Sequence, residues 1–232
     1  MVAAMRSPPA LAAAGFDVVH GFDAAELARR PGMAMLGGRE RLGVLVGHTR
    51  ALWPVFRAQL DAGEADPLDR YTERSLEAAF PGARIYYGHR RYDGAFVPLG
   101  QLAREIGAGV LAPSHLLIHP VYGPWLALRA VVLLDGEPPV TAPLAAQPCQ
   151  CDARCAGALA VALRSTSWRD WLAVRDACSL RTYRYSDDQI AFHYAGLGRA
   201  LTERIQPTET ARGDLRVEPP AHEAVSEPDP LR

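Results

Sequence analysis

Residues 116–136 read LLIHPVYGPWLALRAVVLLDG. Two apolar runs, 114–118 and 125–134, flank a corner made of His119, Pro120, Val121, Tyr122, Gly123 and Pro124. Short apolar runs bounded by Pro and Gly read as strands. Two prolines and a glycine restrict the corner's backbone. A His, a Tyr and a Trp are presented on it, and loops on rigid scaffolds are where ligand contacts concentrate. His119 suits a core imidazole, a hydrogen-bond donor to a ligand or a metal ligand equally well.

Working outward, RLGVLVG at 41–47 and ARIYY at 83–87 are two further strand-like runs. Helical patterns lie at 23–30, 50–62, 66–80, 99–108, 156–164 and 186–204. Asp66-Pro67 predicts a capped start with Pro in the first turn. Ser186 predicts a second cap, with Asp187 and Asp188 at the positive end of that helix. Strands alternating with helices favour a mixed α/β layer over a sandwich or a bundle. Residues 1–10 are expected to be frayed. Residues 11–205 are expected to form one domain. Residues 206–232 hold too few large apolar side chains to offset their ordering entropy and are expected to be disordered.

Composition excludes several classes. The 232 residues are 49% hydrophobic and 22% charged, with a net charge of −1, which argues against a general nucleic-acid binder. The aromatic and basic stretch YYGHRRY at 86–92 stands without a wider basic surface. No run approaches the roughly 20 apolar residues of a membrane span. The start, MVAAMRSPPALAAAGF, lacks the sustained apolar core of a secretory signal. A cytoplasmic location with reduced thiols is therefore expected. The chain has no Lys, so all 25 basic residues are Arg and Schiff-base chemistry is excluded.

Two more segments carry chemistry. Cys149, Cys151 and Cys155 lie within seven residues, with Cys178 further on. The C-x-C-x3-C spacing is neither that of a zinc ribbon nor that of a bacterial ferredoxin. It leaves open a thiolate-bound metal or cluster, a redox pair or a coincidence. The stretch SWRDWLAVRD at 167–176 alternates Trp, Arg and Asp. It suits a surface segment with its tryptophans packed inward, or a pocket wall in which Trp supplies a flat face and Arg grips a carboxylate or phosphate.

The corner at 119–125, Trp168-Arg169-Asp170-Trp171, Arg175-Asp176-Ala177 and Arg184-Tyr185-Ser186 together resemble the vitamin B12-processing family of methylmalonic aciduria and homocystinuria type C. The resemblance spans about residues 14–202. It implies a flavin-nitroreductase-like α/β (α+β) fold, an antiparallel sheet flanked by helices. It implies base-off binding of cobalamin and processing of its upper axial ligand, by reductive decyanation with electrons from FMN or FAD, or by glutathione-dependent dealkylation. The cofactor carries that chemistry, so no residue is assigned a catalytic role of its own. The corrinoid contacts it implies are His119, Pro120, Tyr122, Gly123, Trp125 and Arg129. Arg169, Arg175 and Arg154 are its candidates for holding glutathione. A flavin reductase or a B12-dependent enzyme is the implied protein partner.

The same region is similar to the corrinoid-binding half of epoxyqueuosine reductase. That likeness implies a single [4Fe-4S] cluster on Cys149, Cys151, Cys155 and Cys178 as an alternative electron source. Two further readings stay open: a corrinoid carrier without turnover, and a flavin oxidoreductase that shares only the fold.

Overall fold

The computed structural model describes residues 7–61, 64–139 and 153–194. Its strands are β1 (Val18–Asp23), β2 (Leu42–His48), β3 (Arg84–Tyr87), β4 (Arg91–Tyr92), β5 (Ala95–Phe96), β6 (Val110–Leu111), β7 (Leu117–Ile118) and β8 (Ala127–Leu134). The main sheet is antiparallel throughout, in the order β1-β2-β8-β3. Its helices are α1 (Pro9–Ala13), α2 (Ala24–Leu27), α3 (Leu52–Arg57), α4 (Pro67–Ala79), α5 (Leu99–Glu105), α6 (Arg154–Ala162) and α7 (Trp168–Asp176). An α/β fold with a helix-flanked antiparallel sheet is therefore what this sequence forms.

The two central strands are apolar along their length because both faces of the sheet are covered. Successive side chains point to opposite faces. Val44, Val46, Ala130 and Val132 meet Leu11 of α1, Leu52 and Phe56 of α3, and Leu68 and Leu76 of α4. Leu45, Val131 and Leu133 meet Phe22, Leu27 of α2, Met33, Leu36 and Leu102 of α5. Each fully buried Leu or Val contributes roughly 1.5–3 kcal/mol, so either layer alone outweighs any surface ion pair.

One irregularity in the sheet matters for the site. β2 and β8 pair in regular register from Leu42↔Leu134 to Val46↔Ala130, and the next pair is Gly47↔Leu128. Arg129 is the extra residue of a β-bulge. A bulge re-aims the side chain it inserts. Here it puts Arg129 on the same face as His48.

Several local expectations change. β1 is not visible as an apolar run, because His20, Gly21 and Asp23 interrupt VVHGFD; its pairing with β2 makes it a strand. β7 and β8 do not form a hairpin. β7 pairs with β6 in a separate two-stranded sheet, so the 119–125 corner joins two sheets. α3 stops at Arg57, and Leu60 beyond it is left exposed. Pro67 does open α4, but Asp66 sits at φ 51° and makes no side-chain cap. Residues 168–176 are a true helix, with the Ser167 hydroxyl accepting from the Arg169 amide at 3.3 Å. The last helix occupies residues 187–194 of the described chain, and Ser186 caps it by accepting from the Gln189 amide at 3.3 Å. The expected tail at 206–232 lies outside the described residues. Among the described residues no helix is long and apolar enough to cross a membrane.

Candidate functional site

The corner is closed by a pair of backbone hydrogen bonds, His119 N to Gly123 O at 3.0 Å and Gly123 N to His119 O at 2.9 Å. Gly123 sits at φ +60°, and a Cβ there would come within 2.7 Å of the Leu180 carbonyl oxygen. Only glycine satisfies both demands. Pro120 and Val121 form the exposed tip, with Val121 54% exposed. Tyr122 stacks on His119 with centroids 4.5 Å apart and meets Tyr183 edge-on at 4.7 Å.

His119 is buried and both its nitrogens are engaged. Nδ1 accepts from the amides of Val121 (3.1 Å) and Tyr122 (3.2 Å). A neutral imidazole carries one proton, so that proton is on Nε2. It is donated to Nε2 of His20, 3.3 Å away, which places the His20 proton on Nδ1. Burial pushes His119 down to about 4, with a smaller contribution from His20; burial also lowers His20. As folded, neither His119 nitrogen is free to ligate a metal.

Behind the corner lies a buried polar cluster. Trp125 is fully buried, and its indole N–H has no hydrogen-bond partner among the described residues. The guanidinium carbons of Arg175 and Arg184 lie 5.9 and 5.5 Å from its ring. Arg184 is committed to Asp176 (2.8 Å) and Asp187 (3.1 Å). Arg175 has no carboxylate partner among the described residues; it lies against Trp125 and, also at 5.9 Å, Tyr185.

Arg129 enters the same cluster from the bulge. Its Nε donates to His48 Nε2 at 3.1 Å, and a terminal nitrogen lies 3.6 Å from Asp69. His48 donates its Nδ1 proton to the Thr49 carbonyl at 2.9 Å. Thr49 is held in turn by Asp17, through its amide (2.7 Å) and its hydroxyl (2.5 Å). The ring of His48 is parallel to that of His193 at 6.1 Å, and Tyr185 lies 5.4 Å from His193. Burial, helped by the charges of Arg129 and Arg175, pushes His193 down to about 3; burial first, then Arg129, keeps His48 well below its ordinary value. Gln189 is fully buried, and neither end of its amide has a partner among the described residues; nor has His193 Nε2. The cluster thus combines two guanidinium groups, one paired only loosely, with neutral imidazoles and spare N–H donors. That is the chemistry of a site for a carboxylate or phosphate.

A cavity of about 360 Å³ opens alongside it, lined by Ser114, Leu116, Leu159, Trp168, Trp171, Val174, Arg175 and Tyr194. α7 builds this wall by its periodicity. Trp168, Trp171 and Arg175 recur at helical spacing on one face, whereas Arg169 is one residue round, exposed, with its guanidinium 4.5 Å over Trp168. Arg154 is exposed at the start of α6. Of the three arginines singled out for glutathione, the structure brings only Arg175 to the cluster, and Arg129 joins it there. Cys155 and Cys178 are free, buried thiols in one apolar cluster with Ala112, Ile118, Ala162 and Val174. Cys149 and Cys151 lie outside the described residues, and among the described residues no group of three His, Cys, Asp or Glu could hold a metal.

Sequence reasoning missed His20, His48, His193, Tyr185 and Gln189. One signal was available for His48, a polar residue that continues the buried parity of RLGVLVG. Gln189 and His193 stand four apart on one helix, a spacing that puts them on the same face.

No protein-family model matches this chain, and no curated protein matches it. Solved structures do. One is the crystal structure of a B12-trafficking protein CblC from C. elegans, described as a homologue of human MMACHC. It superposes with a TM-score of 0.55 at 17% sequence identity, over 85% of this chain and 92% of that one. At that identity the likeness establishes a shared fold.

Proposed function

We propose that this chain binds cobalamin base-off beside the His119–Trp125 corner and processes its upper axial ligand, with glutathione held by Arg129 and Arg175. The observation that carries the reading is the arginine cluster directly behind the corner of a CblC-like fold, with unpartnered N–H donors of Trp125 and Gln189 around it. The corrinoid is the substrate, and its cobalt–carbon bond is open to attack by a thiolate or, for cyanide, to reductive loss. The chain's own groups bind and orient. Arg129 and Arg175 grip carboxylates, bidentately where the geometry allows. The aromatic cavity of Trp168, Trp171 and Tyr194 shields an apolar part of a ligand from water. His119, with both ring nitrogens engaged, is not available to ligate cobalt, so a corrinoid bound base-off here takes no axial imidazole from that residue.

The test is an anaerobic absorbance titration of methylcobalamin and cyanocobalamin with the purified full chain, followed by addition of glutathione or reduced flavin. A shift to the base-off spectrum and then a changed cobalt spectrum is the expected result. No spectral shift at saturating protein overturns the reading. A shift without ligand removal by either reductant favours the carrier, the second reading that a B12-trafficking relative supports. A brown colour in the protein before any cobalamin is added would bring back the iron–sulfur alternative.

A further inference from the structure

We propose, resting on the anion reading above, that His193 is the proton acceptor of the arginine pocket, so that a carboxylate-bearing ligand enters together with a proton. The argument starts from what surrounds the ring. His48 faces it from β2 at 6.1 Å, and Tyr185 faces it at 5.4 Å from the segment before its own helix. The charges of Arg129 on β8 and Arg175 on α7 act on it. Asp69 on α4 reaches the group only through Arg129. On its own helix Phe192 meets the ring edge-on at 5.7 Å and packs against Trp53 and Phe56 of α3.

The two parallel imidazoles are not equivalent. Both nitrogens of His48 are committed, one donating to Thr49 O and one accepting from Arg129, so a proton added to His48 would expel Arg129. His193 Nε2 is buried without a partner among the described residues, and it can take a proton without breaking a bond. Burial opposes that proton most, and the two guanidinium charges oppose it next. A carboxylate placed between the guanidiniums cancels the second opposition and gives an imidazolium a counter-charge. Ligand and proton then favour each other by the same factor, because linkage is reciprocal. No covalent step is involved: one proton moves from solvent to Nε2.

The experiment is calorimetry of the full chain with S-methylglutathione, which keeps both carboxylates of glutathione and has no thiol proton. Measurements run from pH 7 to pH 5 in buffers of different ionisation enthalpy, above the carboxylates' own range of about 3.5–4.3. Binding is expected to tighten at least about threefold over that range with net proton uptake; full coupling would give tenfold per pH unit. His193→Gln is expected to show a flat pH profile, whatever its affinity at pH 7. The ring nitrogen shifts of His193 in the unsubstituted protein give an independent reading, moving towards imidazolium values when the ligand saturates at pH 5.5. Binding with no pH slope and no proton uptake overturns the coupling and leaves the anion site standing. An unchanged slope in His193→Gln also overturns the assignment. No binding at any pH overturns the arginine-pocket reading and this inference with it.

Discussion

His119 and His20 face each other Nε2 to Nε2 at 3.3 Å, and the backbone amides of Val121 and Tyr122 decide which of the two donates. One proton is shared between two buried rings. A second proton cannot be added without turning two N–H groups against each other. His119 is pushed down to about 4 by burial, against an ordinary value near 6.5. The unfolded chain therefore binds more protons between those values, and stability rises with pH across that window. The contribution is fully present above about 6.5 and is lost as pH falls through about 4. For His119 alone it is on the order of 3 kcal/mol. His20, His48 and His193 shift in the same direction. Urea unfolding midpoints at pH 7 and pH 4.5 should differ markedly, and coincident midpoints would refute a neutral buried set.

His20→Phe keeps most of the volume but leaves the His119 Nε2 proton without an acceptor. A buried donor left unsatisfied costs about 1–3 kcal/mol. The unfolding free energy should fall by that amount and the pH slope below 6.5 should become shallower. A loss of stability with an unchanged slope would mean that His20 acts by packing alone.

Gly123→Ala is expected to cost more than an ordinary surface substitution. Its φ of +60° disfavours a side chain, and the new Cβ would strike the backbone at Leu180. A loss of roughly 2–3 kcal/mol follows. Gly94, also at positive φ but with open space around it, should lose clearly less on the same change. Thermal melts of the two variants make the comparison, and equal losses would show that the Leu180 contact is relieved at little cost.

Arg175→Ala and Arg169→Ala separate the pocket face of α7 from its outer face. If glutathione is held as proposed, the first should weaken its binding by tenfold or more and the second by less than twofold. Both should melt within a few degrees of the parent, because neither side chain has a carboxylate partner to lose among the described residues. Equal effects on binding would place the ligand elsewhere.

Much of the fold was legible where burial is two-sided. LGVLVGH and ALRAVVLL are continuous apolar runs because both their faces are covered, and α4 showed itself through Pro67 and a long amphipathic stripe. β1 was not legible, since an edge strand carrying His20, Gly21 and Asp23 owes its form to pairing with β2 and not to a pattern of its own. The corner stood out because Pro and Gly mark such turns, but its role in joining two sheets depends on pairing between distant residues. The arginine cluster was half legible. Arg129 and Arg175 were picked out, while His48 and His193 come together from opposite ends of the chain, and no local spacing announces that meeting.

The bulge at Arg129 sets a constraint on how this strand can change. A regular β8 would put neighbouring side chains on alternate faces, and a cation could be sent towards His48 only by giving up an apolar position of that layer. The inserted residue removes that exchange. Val131 and Leu133 fill one layer, Ala130 and Val132 fill the other, and Arg129 is added on top of the count. Deleting Ala127 would leave the buried residues of both layers in place and yet turn the guanidinium out of the pocket. Length variation here therefore tracks ligand recognition, while the same variation two residues further on would be read first as a loss of folding.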